Sequence, residues 1–266
     1  MKLSFSNIAL KKNLDFLLDF AVYNGCDGLE MAPDLVIDRP TKSSFHQRQN
    51  ILKKIKKKNL EVTGLHSLLF QKDDCELFDT RDKRKNLIIY LKEIMQFCAD
   101  LGGKQVVYGS PKSRKLNKLN QLEAKEISLD VFKELSEFGK SVNVYFCIEP
   151  LDKIECEFIN TYKEAIELTK TINSNYFKIN FDTKTFFYTK ENLIELEKNF
   201  DYYYHFQISD EELKPIYLSK NNHNEINSFI RRNNYDKFIS IEMIDTGNNE
   251  DLVKSIKFVK EKYNLM

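Results

Sequence analysis

The chain has 266 residues, 42% of them hydrophobic and 30% charged, with 41 basic side chains against 40 acidic ones. That length buries a sizeable core and matches a single α/β barrel, while the near-neutral balance removes the one-signed field that gathers nucleic acid or anionic lipid. No apolar run approaches the ~20 residues of a bilayer span, and MKLSFSNIALKKN carries no long apolar export segment, so neither membrane nor nucleic acid is expected as a partner.

KLSFSNIAL reads as a first strand, and LDFLLDFAVYN follows with helical spacing of its apolar residues. CDGLEMAP and EVTGLHSLLF supply the second and third strands, with KKIKKKNL between them as the solvated end of a helix. The helical LIIYLKEIMQFCADLGG then leads to the strand KQVVYGS, and LDVFKELSEFGKS leads to NVYFCIEP. YKEAIELTKTI precedes YFKINFDT, after which come YYYHFQIS, FISIEMID and the closing helix DLVKSIKFVKEKY. Strand and helix alternate eight times. At this length the alternation predicts parallel strands with right-handed crossovers closed into a (β/α)8 TIM barrel, an α/β fold occupying residues 1–266 as one domain. No G-x-G-x-x-G turn favours a dinucleotide-binding sheet, and no Pro/Gly/Ser-rich linker divides the chain. Five cysteines without a C-x-x-C pair read as reduced thiols of a cytoplasmic protein.

A barrel places its chemistry at the carboxyl ends of several strands. The predicted strands five to eight end on Glu149, Asp182, Gln207 and Glu242, four potential oxygen ligands at equivalent positions. Three carboxylates and an amide make a hard site suited to Mg²⁺ or Mn²⁺ and ill suited to a metal that prefers thiolate. A cation bound to a carbonyl and a neighbouring hydroxyl would stabilise the charge formed when the adjacent carbon loses a proton. Glu149 and Glu242, on different strands, are placed to approach such a carbon from different sides as acid and base.

The motifs GLEMAP, GLHSLLF, VVYGSPKSR, CIEPLDKIECEFINT, NFDT, HFQISDEELKPI and SIEM resemble the xylose-isomerase-like sugar isomerase/epimerase superfamily along nearly the whole chain. VVYGSPKSR and HFQISDEELKPI are most similar to a branch generically called sugar phosphate isomerase/epimerase. The resemblance implies a divalent metal, often manganese, held by Glu149, Asp182, Glu242 and the residue at 207, with cobalt or zinc admissible. Epimerases carry His at that fourth place, while hydroxypyruvate isomerases resemble this chain in carrying Gln. It further implies that Glu149 and Glu242 form the acid/base pair and that Glu155 contacts substrate. Thr185 and Leu213 depart from the pattern, standing where ketose 3-epimerases place a substrate-binding His and Arg, which argues against free-ketose recognition of that kind.

Further candidates surround this set. His66, ending strand three, is placed to donate to a substrate hydroxyl or to be held by a loop. His205, on the same face as Gln207 and one pleat deeper, suits the orientation of Asp182 or Gln207 as well as a filled barrel interior. Glu30 ends strand two, where it would bind a sugar hydroxyl or brace the barrel. Lys112 and Arg114, with Ser110 and Ser113, follow strand four, where an anionic substrate end would bind. His223 is a candidate for capping the site, His46 is assigned to the surface, and Phe70 with Phe186 or Phe187 is assigned to the pocket wall. The expected function is a metal-dependent isomerase or epimerase of a small hydroxy-carbonyl compound, a sugar or sugar phosphate, working through a metal-stabilised enediolate; a homo-oligomer is compatible with it. A lyase of the inosose-dehydratase kind would use the same proton abstraction. An endonuclease IV-like hydrolase would need many histidines and a basic face, against four histidines and a net charge of +1 here. A non-catalytic sugar-binding barrel is disfavoured because clustered carboxylates without a cation repel one another.

Overall fold

The computed structural model describes residues 1–265; Met266, the last residue of the expected domain, lies outside them. Eight strands, β1 (Lys2–Ser6), β2 (Gly28–Met31), β3 (Glu61–Leu65), β4 (Gln105–Tyr108), β5 (Tyr145–Ile148), β6 (Phe177–Asp182), β7 (Tyr203–Ile208) and β8 (Phe238–Ile241), close into one barrel in chain order. Every neighbouring pair is parallel, and β8 pairs with β1 to close the ring. The expected TIM barrel is the observed fold.

The outer helices are α1 (Leu14–Tyr23), α2 (Phe45–Lys57), α3 (Arg81–Asp100), α4 (Gln121–Val142), α5 (Tyr162–Ile172), α6 (Thr183–Thr189), α7 (Leu193–Glu197), α8 (His223–Arg232) and α9 (Asn249–Lys262). Their starts are set by caps as much as by apolar periodicity. Ser44 with Gln47, Asn120 with Glu123 and Thr161 with Glu164 form reciprocal capping boxes, each capping residue contributing about 1 kcal/mol. Hence α3 and α4 begin at Arg81 and Gln121, behind Thr80 and Asn120, several residues ahead of the apolar stretches that announce them. The crossover from β6 to β7 is two short helices rather than one.

Aromatic rings fill the layer between barrel and helices. Phe132 stacks on Phe177 at 5.4 Å, and Phe181 lies 5.1 Å from Phe206 and 5.6 Å from Phe229. All five cysteines are buried and free, as their apolar surroundings predict. The barrel interior, by contrast, is polar. Ser6 of β1 meets His66 beyond β3, and Gln207 of β7 meets Glu30 of β2, so side chains on non-adjacent strands touch across the axis. With Asn180 and His205 they form a buried polar layer directly beneath the carboxyl-end mouth.

Candidate metal centre and active site

Asp182 is the last residue of β6, while Glu149 and Glu242 directly follow β5 and β8. Parallel pairing in a closed barrel brings these strand ends to one mouth, where one oxygen from each carboxylate lies within 4.8 Å of the others. Each is held in place. Asp182 Oδ1 accepts from Ser209 Oγ at 2.6 Å and from the Lys184 amide at 2.7 Å, so the residue that faces the mouth also caps α6. Glu242 Oε1 lies 3.2 Å from His66 Nδ1, and the His66 Nε2 pairs with Ser6 Oγ. Glu149 accepts from Asn180 Nδ2 at 3.3 Å and occupies space that only a glycine leaves open: a Cβ on Gly109 would stand 2.2 Å from Glu149 Oε2.

Proximity and burial make the carboxylates hard to ionise together. Burial, then the charges of Asp182 and Glu242, push Glu149 well above the usual carboxylate range, with Lys184 and Arg114 opposing. Burial and Glu242 push Asp182 up to about 6, against Lys184 and the hydrogen bond from Ser209. Burial weighs against the charge of His66, but Glu30, Glu242 and Asp182 outweigh it and raise its pKa. Lys184 likewise resists burial because Asp182 and Glu155 surround it, and it stays an ammonium.

Gln207 lies immediately below. Its amide oxygen accepts from Asn180 Nδ2, the same NH2 group that reaches Glu149, and its own NH2 donates to Glu30 Oε2 at 3.2 Å. Glu30 and His205 are placed differently from the substrate contacts expected of them. Both are sealed in the barrel interior, with His205 Nε2 2.9 Å from Glu30 Oε1, though off the line of a good hydrogen bond. Burial opposes charge on Glu30, yet His205 and His66 draw its pKa down to about 2. The pair braces the barrel and orients Gln207. His66 is also sealed from solvent, with its Nδ1 beside Glu242.

At the rim, Glu155 is exposed and grips Lys184 Nζ with both oxygens at 2.9 Å. Lys112 lines a cavity of about 640 Å³ between the loops after β3 and β4, together with Ser67, Phe70, Ser110 and Lys115. Among the described residues Lys112 has no ion-pair partner. Arg114, expected to meet an anionic end from an open loop, is wholly buried: it donates to the Phe158 carbonyl at 3.1 Å and lies over the Tyr108 ring, while its Nε and Nη2 have no partner among the described residues. The loop turns inward after Ser113, whose hydroxyl meets Tyr108 OH at 2.8 Å, and carries Arg114 into the helix layer. His223 does not cap the site either; it is buried between α8 and α9 against Tyr263 and Ser219. His46 is exposed on α2, Phe70 walls the cavity, and Phe186 packs on Phe181 in the core, with Phe187 beside His223. Four functional neighbours escaped the sequence reading: Gly109, Asn180, Lys184 and Ser209. Asn180 was signalled, being two residues before Asp182 and so on its face of the strand.

The arrangement fits a divalent cation. Three carboxylates with raised or crowded charges converge at the mouth, each braced by a donor, and Gly109 preserves the space that one of them fills. Fold and centre together define a TIM-barrel protein with an acidic, oxygen-lined site at its carboxyl mouth. The family described as xylose isomerase-like TIM barrel matches residues 18–262, and the chain belongs to it. Inosose isomerase of Bacillus subtilis (strain 168) is 27% identical over 141 residues, 52% of this chain and 47% of that protein, so the chain spans about half the length of the curated relatives it matches. D-psicose 3-epimerase of Clostridium cellulolyticum H10, crystallised with D-tagatose, superposes with a TM-score of 0.83 at 15% identity, over 99% of this chain and 98% of that one. 3-Keto-D-glucoside 4-epimerase YcjR of E. coli gives 0.82 at 18% identity, over 98% and 99%. The IOLI protein with a bound zinc atom gives 0.77 at 20% identity, over 99% and 98%. These likenesses establish the shared barrel.

Two outcomes follow from the crowding. Gly109→Ala should leave the fold intact but displace the Glu149 carboxylate, because the clash is with a side-chain end rather than backbone; Mn²⁺ titration of the variant should show weakened uptake, and parent-like affinity would refute the close fit. In metal-free protein Asp182 prefers its protonated form when folded, so its contribution to stability falls as pH rises from ~4, its unfolded value, through about 6. Asp182→Asn, which can still cap α6, should therefore raise the melting temperature of stripped protein by a few degrees at pH 7 and by less at pH 4.5. A gain that does not grow with pH would show that the carboxylates do not repel one another.

Proposed function

We propose that the protein is a divalent-metal-dependent isomerase or epimerase of a small hydroxy-carbonyl compound of the sugar or sugar phosphate class. The observation that carries this reading is the meeting of Glu149, Asp182 and Glu242 from three strand ends at one mouth. A divalent cation held by them would draw negative charge from a substrate carbonyl oxygen and so acidify the neighbouring carbon. Glu149 and Glu242 stand on β5 and β8, far apart around the ring, and act as the base and acid on the two faces of that carbon. His66, anchored on Ser6, fixes the Glu242 carboxylate, and Asn180 fixes that of Glu149. Glu155 and Lys112 meet the rest of the substrate at the rim, Lys112 suiting an anionic end. Magnesium or manganese suits the oxygen donors best.

Gln207 serves as a fourth ligand through its amide oxygen. Asn180 occupies one lone pair and leaves the other, and the shared Asn180 NH2 keeps that oxygen beside Glu149. Gln207→Leu should lower affinity for every divalent ion, whereas Gln207→His should tilt selectivity toward Zn²⁺. If titration of stripped Gln207→Leu with Mn²⁺ matches the parent, Gln207 is only a brace.

The reaction itself is tested by screening free and phosphorylated ketoses with Mn²⁺ in D₂O for deuterium entering the carbon next to the carbonyl. Conserved product mass distinguishes isomerisation from the loss of water by a lyase. On the substrate so found, Glu149→Gln and Glu242→Gln should each lower turnover by a factor of about 10³ or more with the fold unchanged. Near-normal turnover in either would remove that residue from its role.

A further inference from the structure

Lys184 is the one ammonium built into the mouth beside the acidic centre, and neither the cluster nor the proposed acid and base explain it. Its side chain is only 14% exposed, whereas that of its partner Glu155 is 41% exposed. A solvated rim pair would leave both ends in water. Both Glu155 oxygens accept from Nζ at 2.9 Å, a two-point grip that fixes where the ammonium stands. An ammonium has three N–H donors, and among the described residues Glu155 is its only hydrogen-bond acceptor, so one donor is left unspoken for.

The placement of the residue bridges the site. Its backbone N–H donates to Asp182 Oδ1, while its head reaches the loop after β5, six residues beyond Glu149. The side chain therefore runs from the strand end that carries Asp182 to the loop that follows Glu149. The next residue cannot do this work: Thr185 is fully buried, and its hydroxyl donates to the Pro150 carbonyl at 3.0 Å. Charge also asks for it. Three carboxylates exceed one divalent cation by a single negative charge; the Lys184–Glu155 pair is neutral as a whole, but its cationic end is the less exposed one and feels the charges of Asp182 and Glu149.

We propose that Lys184 is a specificity-determining residue that presents its remaining N–H to an anionic oxygen of a ligand seated over Glu149, Asp182 and Glu242. The inference rests on the metal-site reading above. The ammonium offsets part of the repulsion that a negatively charged oxygen would meet at the loaded centre and donates to it directly, so ligands able to place one there are selected over neutral isosteres.

The test needs no turnover. Stripped parent, Lys184→Met and Lys184→Arg are titrated with Mn²⁺, and the loaded proteins are then titrated with oxalate, a small dianion with adjacent oxygens. Lys184→Met should bind Mn²⁺ several-fold tighter, because a neighbouring cation is gone, and oxalate at least about tenfold more weakly. Lys184→Arg, which keeps the charge, should hold oxalate within about threefold of the parent. Should Lys184→Met fail to fold, Lys184→Gln carries the same two readouts. Oxalate binding of parent strength in the neutral variant overturns the role of Lys184 alone. Absence of Mn²⁺ uptake by the parent overturns the metal-site reading and this one with it.

Discussion

The mutual repulsion of Glu149, Asp182 and Glu242 is the constraint around which the upper half of the barrel is arranged. Burial first, and then the neighbouring charges, push Glu149 and Asp182 above the usual carboxylate range in a set crowded within 4.8 Å. A fold keeps such an arrangement only when other interactions over-determine it. Here the strand register supplies the positions, Ser209 donates to Asp182 and Asn180 to Glu149, His66 Nδ1 lies 3.2 Å from Glu242, and Gly109 leaves room for the Glu149 carboxylate. The result is a centre built before any ligand arrives.

The layer beneath explains how the site stays rigid. TIM-barrel interiors are commonly packed with branched apolar side chains, but this one carries Glu30, Asn180, His205 and Gln207 in one polar set, with Ser6 paired separately to His66. Glu30 is the hinge of that set: charged despite full burial, it holds His205 and the Gln207 amide, and Gln207 in turn meets the Asn180 that touches Glu149. A buried network of this kind is costly when incomplete and specific when satisfied. It ties the orientation of a mouth carboxylate to groups one pleat deeper. Asp182 adds a second tie, because the carboxylate that reaches the mouth also caps α6 through Oδ1, and Lys184 extends from that helix.

The barrel was legible in the sequence because its signals are local: alternating strand and helix patterns, and polar residues recurring at strand ends. Glu149, Asp182 and Glu242 were legible for the same reason, since strand-end position and barrel closure together fix where they meet. Arg114 was not, because the inward turn after Ser113 is decided by packing on Tyr108 and Phe158, residues distant in the chain or on another face. For Glu30 and His205 the sequence left a substrate contact and a place in the barrel interior both open, and burial decides for the interior. Lys184 gave no sequence signal at all, since a lysine in the first turn of a helix is ordinarily solvated; only the position of Glu155 across the mouth gives it a task.

The central claim is that the three repelling carboxylates are one cation site. Electron paramagnetic resonance of free Mn²⁺ during titration of stripped protein measures it directly, by counting ions taken up per chain. The account predicts saturation at one ion per chain in the parent and a marked loss of affinity when Glu149, Asp182 or Glu242 is replaced singly by its amide. Uptake that never saturates, or affinity indifferent to all three replacements, would contradict it.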